Sequence, residues 1–308
     1  MSASKEKLQA VVAAIGSVLI GKGDAIRIAL ACLLARGHLL VEDLPGMGKT
    51  TLANAMARVL GLDYNRVQFT SDLLPADIVG VSVYEKAESA FRFHPGPVFC
   101  QLLLADEINR TTPKTQSALL EAMAEGQVTV EGETRALPRP FFVIATQNPV
   151  QHSGTFPLPE SQLDRFLMRL SLGYPDLSSE KAILTGGDPR ARLHDLQPML
   201  SIDELLALQN EVDGVAMAEP VVDYVLRLLH VTRTSEAFEY GLSPRAALAI
   251  LQSAKAIALL EGRGFVIPED VLAVFPAVAV HRLQGSGRGH DSGSRVLIEK
   301  VLDAVDVI

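Results

Sequence analysis

The stretch VEDLPGMGKTTLANAM, residues 41–56, constrains the fold more than any other part of the chain. The apolar run HLLV leads into it, Gly46 and Gly48 stand directly before Lys49, Thr50 and Thr51, and Leu52, Met56, Val59 and Leu60 follow at helical spacing. A strand, a glycine-bearing loop ending in Gly-Lys-Thr and a helix form the context in which a phosphate-binding loop works. Gly46 and Gly48 let backbone N–H groups turn toward phosphate oxygens. Lys49 brings a point charge to the outer phosphates, Thr50 offers a hydroxyl to Mg2+, and the helix N-terminus adds the positive end of its dipole. Pro45, Met47 and Thr51 complete the nucleotide-contacting loop. The pattern departs from GxxxxGK[ST] at its first glycine, which is Asp43 here.

With 308 residues and 48% hydrophobic content, the chain can bury a sizeable core and has room for two domains. No apolar run approaches the ~18 residues that a membrane span needs. The N-terminal segment reads as an amphipathic helix without a small-residue cleavage site, so a cytoplasmic location is expected. Cys32 and Cys100 sit in apolar runs without CxxC spacing and read as buried free thiols. The seven histidines, among them His94 and His152, show no metal-ligand spacing. A net charge of −8 makes nucleic acid an unlikely partner.

The first part of the chain alternates helical and extended signals, the mark of an α/β domain with a parallel sheet. GHLLVE, RVQF, QLLLA, FFVIAT and FLMRLSL give five candidate strands. Two period-two segments, at about residues 80–98 and 126–140, read as hairpins inserted into that frame. After GYPD the extended signals vanish, which sets domains at residues 1–174 and 175–308, the second all-helical. Its start signals are a capping box at Ser201 and Glu204, Pro220 and Pro268 at first helical positions, and Ser243 followed by Pro244. GSGRGHDSGS, near the C-terminus, is the one flexible-looking stretch.

A phosphate loop alone leaves kinase, GTPase and ATPase open. In LLLADEINR, four apolar residues deliver Asp106 and Glu107 to a strand end. Asp106 suits a Mg2+ shell, and Glu107 can polarise a water for attack on a γ-phosphate, a task a kinase does not need. No NKxD guanine-reading motif occurs. A third strand, FFVIATQNP, ends at Asn148, which is placed to hold the attacking water or the γ-phosphate.

Together these residues resemble the AAA+ ATPases, and most closely the MoxR family. VEDLPGMGKTTLA is similar to its Walker A, LLLADEINRTTPKTQSALLEAM to its Walker B, FFVIATQNP to sensor 1, GTFPLPESQLDRF to the arginine-finger segment and GLSPRA to sensor 2. The resemblance implies an ATPase with a P-loop α/β core of strand order 5-1-4-3-2, a C-terminal all-helical lid, two hairpin insertions and a hexameric ring. It assigns Arg165 as a finger reaching a neighbouring subunit's ATP and Arg245 as sensor 2, and points to Ile20 and Gly21, with Leu19, for the adenine. Arg245 falls in the first turn of its helix, where a cation opposes the dipole, which suggests an anion there such as ATP between core and lid. Arg110 is a further candidate for a subunit interface. His152 and Ser153 stand where the family often carries an acidic residue.

The resemblance further implies Mg2+-dependent chaperone-like remodelling or metal-cofactor insertion on an unidentified client. It also implies a partner with a von Willebrand A domain; DxSxS is absent here, so that partner is a separate chain. The alternatives are an ATPase subunit of a metal chelatase and a DNA-remodelling AAA+ protein; a non-hydrolysing nucleotide switch is opposed by Glu107.

Overall fold

The computed structural model describes residues 2–148, 154–186, 189–285 and 292–307. His152, Ser153 and most of GSGRGHDSGS lie outside the described residues. The strands are β1 (Leu39–Glu42), β2 (Tyr64–Gln68), β3 (Gly80–Glu85), β4 (Ala90–Pro95), β5 (Leu102–Asp106), β6 (Gln127–Val130), β7 (Glu133–Ala136), β8 (Phe142–Gln147) and β9 (Met168–Leu170).

Five of them form one sheet in the order β9-β1-β8-β5-β2, with every neighbouring pair parallel. Counting only these five in chain order gives 5-1-4-3-2. β1, β5 and β8 are buried along almost their whole length, which is why they read as continuous apolar runs. Alternate residues feed two cores. Leu39, Val41, Leu102, Leu104 and Ile144 pack with the helices Ser2–Val18, Gly23–Leu34 and Lys49–Val59, while Leu40, Leu103, Ala105 and Val143 pack with Leu119, Leu120 and Phe166. The FLMRLSL run contributes only three residues to the ladder, because β9 is the edge strand.

Two antiparallel hairpins stand apart from this sheet. β3 pairs with β4, and β6 with β7. The tip of the first carries Tyr84 and Phe91 in an edge-to-face pair at 5.3 Å, with Phe91 71% exposed. The guanidinium of Arg135, on β7, lies 4.0 Å from the ring centroid of Phe93, on β4, and β3 lies against β6.

Beyond the sheet the described residues are almost wholly helical, from Leu177–Thr185 to Ser292–Asp303. Ser201 and Glu204 form the capping box of the helix Ile202–Asp213, and Ser243 caps Pro244–Leu260 by accepting from the Ala246 N–H at 3.2 Å. The lid meets the core at several places, among them Gln209 donating to the Leu33 carbonyl at 2.7 Å, and with a dense set of hydrogen bonds at the segment before β9. Arg282 donates to Asp164 Oδ1 at 2.7 Å, to the Phe166 carbonyl at 2.8 Å and to the Leu167 carbonyl at 3.1 Å. His281 Nε2 lies 2.9 Å from the same Phe166 carbonyl, and burial holds this imidazole well below its usual pKa, so the neutral ring donates. Cys32 and Cys100 are buried free thiols, both pushed up by burial, Cys100 to about 12. No described helix is long and apolar enough to cross a membrane.

Candidate functional site

Because the sheet is parallel, the loops after β1, β5 and β8 emerge at one edge, the place where open α/β sheets bind ligands. The loop after β1 turns on Gly46 (φ +86°) and Gly48 (φ +96°), in the left-handed region where other residues are strained. No atom lies within 4 Å of where a Cβ on Gly46 would stand, whereas a Cβ on Gly48 would meet Leu19 Cδ1 at 2.8 Å. Gly46 thus opens onto free space and Gly48 lets the loop close on Leu19, between the helices Ser2–Val18 and Gly23–Leu34. Lys49, Thr50 and Thr51 begin the helix Lys49–Val59, with Gly48 as its N-cap. Lys49 Nζ donates to the carbonyls of Asp43 and, at 3.3 Å, Leu44. Burial lowers its pKa, and the carboxylates of Asp43, Asp106, Glu107 and Glu42 oppose that shift, so four acidic groups share one field with this ammonium.

Ile20 and Gly21 lie between that loop and the helix Leu177–Thr185. Gly21 takes φ +74°, and a Cβ there would run into Ser179 Oγ. The absence of a side chain at Gly21 thus lets this turn pack closely on Ser179.

At the end of β5, Asp106 is buried and its two oxygens are occupied: Oδ1 accepts from Thr146 Oγ1 at 2.6 Å and Oδ2 from Arg66 at 2.7 Å. Glu107 adopts φ +58°, an uncommon conformation for a residue with a Cβ, and its N–H donates to the same Thr146 hydroxyl at 2.9 Å. Both carboxylates meet alternate residues of β2, Asp106 through Arg66 and Glu107 through Gln68. Glu107 Oε2 accepts from Gln68 at 3.1 Å and from Arg110 at 2.9 Å. Arg110, a candidate interface residue in the sequence, is here an intramolecular partner of Glu107. Sequence reasoning missed Arg66, Gln68 and Thr146. The available signals were a hydroxyl closing an otherwise apolar strand and a basic residue in the middle of a strand. Asn148 directly follows β8, beside the loop after β1: Gln147 pairs with Glu42 in register and its carbonyl accepts from the Asp43 N–H at 3.3 Å.

The two assigned arginines stand elsewhere. Arg165 precedes β9, at the sheet edge opposite Lys49, and donates to the Leu120 carbonyl at 3.0 Å. Arg245 Nη1 donates to Asp164 Oδ2 at 3.2 Å, so the anion expected in the first turn of its helix is this carboxylate. With the strand register running Leu39↔Met168 to Val41↔Leu170, the height of the sheet separates both arginines from Lys49, roughly 10 Å or more at ~3.3 Å per residue.

A family model described as "ATPase family associated with various cellular activities (AAA)" matches residues 38–168, and one described as "AAA lid domain" matches residues 230–300. The chain is 38% identical to chaperone MoxR1 of Mycobacterium tuberculosis, over 99% of this chain and 83% of that one. It belongs to the MoxR family of AAA+ ATPases. Similarity extends to YeaC of Bacillus subtilis, 43% identical over 95% of this chain and 92% of that one. A solved structure of a Cytophaga hutchinsonii protein matches with a TM-score of 0.88 at 36% identity, covering 98% of this chain and 95% of that one. As a MoxR-family member the chain binds nucleotide and hydrolyses ATP on a P-loop α/β core with a helical lid.

Proposed function

We propose that this MoxR-type ATPase hydrolyses Mg2+-bound ATP at sites completed by a second copy of the chain, in a hexameric ring, to remodel or mature a client protein. The chain then divides near residue 174 into a nucleotide-binding core and a lid. In this reading residues 45–51 cradle the phosphates, with Lys49 on the outer ones, and Ile20 and Gly21 flank the adenine. The residues fit the metal: Thr50 and Asp106 supply hard oxygen donors, and the four-carboxylate field around Lys49 favours a cation. Magnesium, when bound, neutralises charge gathering on the phosphates. Glu107, set in a left-handed turn directly after Asp106, orients a water and takes its proton. Asn148 holds that water or the γ-phosphate.

One observation carries the composite site: Arg165 and Arg245 lie together at the sheet edge opposite Lys49. A guanidinium spreads charge over several donors and suits the oxygens that gain charge during phosphoryl transfer. From that edge each arginine serves the nucleotide of the next copy, a head-to-tail contact that closes into a ring. The hairpins, with Phe91 and Tyr84 exposed at one tip, then face the client. A separate von Willebrand A partner, a cytoplasmic setting and metal insertion into the client belong to the same reading. The net charge of −8 favours a protein client over nucleic acid.

Specific activity measured across a wide range of protein concentration tests this: turnover per chain climbs steeply and then saturates. A flat dependence, with the chain monomeric throughout by light scattering, sinks the composite site.

A further inference from the structure

The general phosphate-loop pattern begins with a glycine, so the cradle needs no side chain at that place. Here it holds Asp43, whose carboxylate is buried and points away from the loop. It accepts from Ser171 Oγ at 3.0 Å, from the Leu172 N–H, and from the Gly173 N–H at 3.2 Å. Residues 171–173 are the connector leaving β9 for the helix Leu177–Thr185. Gly173 is held from its other side as well, since its carbonyl accepts from Lys22 Nζ at 2.9 Å, and it turns there at φ +60°. The backbone of Asp43 faces the opposite way, because its carbonyl accepts from Lys49 Nζ, with the Leu44 carbonyl as second acceptor at 3.3 Å. One residue therefore touches the phosphate-seeking lysine through its main chain and the connector through its side chain.

We infer that Asp43 is a positioning residue that couples phosphate binding at Lys49 to the core–lid connector. The inference rests on the proposed role of Lys49. A phosphate draws the ammonium off the Asp43 and Leu44 carbonyls, and residues 43 and 44 resettle. The Asp43 carboxylate, fixed to the same Cα, carries the Leu172 and Gly173 N–H groups with it. Motion at the nucleotide thus leaves the core along the connector, with Gly173 as the swivel and Lys22 as the post against which it turns.

The chain has no tryptophan, and Tyr174, beside Gly173, is exposed. Tyr174→Trp therefore installs a single reporter on the connector of the full-length protein. Saturating Mg-ADP is expected to shift its emission. Adding Asp43→Ala abolishes that shift, while ADP uptake measured by equilibrium dialysis stays within about threefold and turnover falls about tenfold at little-changed KM. Asp43→Asn, which keeps an acceptor oxygen and guards against a folding failure in the alanine variant, gives a reduced shift. An emission change of full amplitude in either Asp43 variant with ADP bound makes Asp43 a passive staple and overturns the inference, as does no change in the Tyr174→Trp parent at saturation. The reading of Lys49 has a separate readout: Lys49→Ala loses ADP uptake, and normal uptake would overturn that reading instead.

Discussion

Arg245 and Asp164, 81 residues apart in sequence, meet at 3.2 Å, and Arg282 holds the other oxygen of the same carboxylate at 2.7 Å. The two arginines are not equivalent. Arg245 is exposed and makes this one contact, whereas Arg282 is buried and also donates to backbone carbonyls. Arg245→Ala should therefore cost less than about 1 kcal/mol of stability, yet lower turnover at least tenfold if it serves a neighbour's nucleotide. Arg282→Ala should cost more, about 1–3 kcal/mol, by taking the donors from Asp164 Oδ1 and the Leu167 carbonyl, while Arg245 stays on Oδ2 and His281 on the Phe166 carbonyl. Thermal melting beside steady-state turnover separates the two, and equal stability losses would show that exposure has been misjudged.

Arg165 makes a mixing experiment decisive. If it acts across a subunit boundary, Arg165→Ala chains titrated into wild type reduce activity more than in proportion to their fraction, because each inserted chain also disables a neighbour. A strictly linear decline places Arg165 on its own nucleotide or on none.

Thr146 carries both acidic residues, donating to Asp106 and accepting from the Glu107 N–H. Thr146→Val keeps the shape and removes both bonds, leaving a buried N–H without its acceptor. We expect a stability loss of about 1–3 kcal/mol and a fall in kcat larger than any change in nucleotide affinity. Isothermal titration with Mg-ADP against kcat checks this; loss of binding in proportion to kcat would contradict it. Glu107→Gln, by comparison, should bind ATP normally and lose roughly 10²–10⁴ in turnover.

His38, the residue before β1, is buried between two backbone groups. Its Nδ1 accepts from the Val143 N–H at 3.0 Å, so the neutral ring carries its proton on Nε2 and donates to the Met123 carbonyl at 3.1 Å. Burial lowers its pKa from 6.5 to about 4. Between those values the unfolded chain binds more protons than the folded one. The stability contributed by neutral His38 is thus complete above about pH 6.5 and is lost as pH falls toward 4, by about 3 kcal/mol in all. His281 acts in the same sense. Urea midpoints from pH 7 to pH 4.5 should drop, and drop less steeply in His38→Gln; identical slopes would remove His38 from the account.

How legible was this in the sequence? β1, β5 and β8 could be found because strands covered on both faces must be apolar throughout, and the caps at Ser201 and Ser243 because a helix start is solved within four residues. The loop glycines were legible because a left-handed backbone leaves few other choices. What stayed hidden depends on partners far along the chain. Nothing local says that Arg66 meets Asp106 across 40 residues, that Arg282 meets Asp164 across 118, or that Asp43 reaches Gly173 across 130. Arg245 shows the same limit in a subtler form. Its unfavourable place on the helix dipole pointed to an anion, but only the packing of lid on core shows that Asp164 lies within its reach.

The contact of Arg135 with Phe93 joins the two hairpins. The second hairpin follows directly on the helix Pro113–Glu125, a rod of ~20 Å at 1.5 Å per residue, whose near end lies just past Arg110, the partner of Glu107. In the proposed reading, load at the aromatic tip of the first hairpin passes through Arg135 into the second and down that rod toward the acidic pair. In that reading, tension outside and chemistry inside share one linkage.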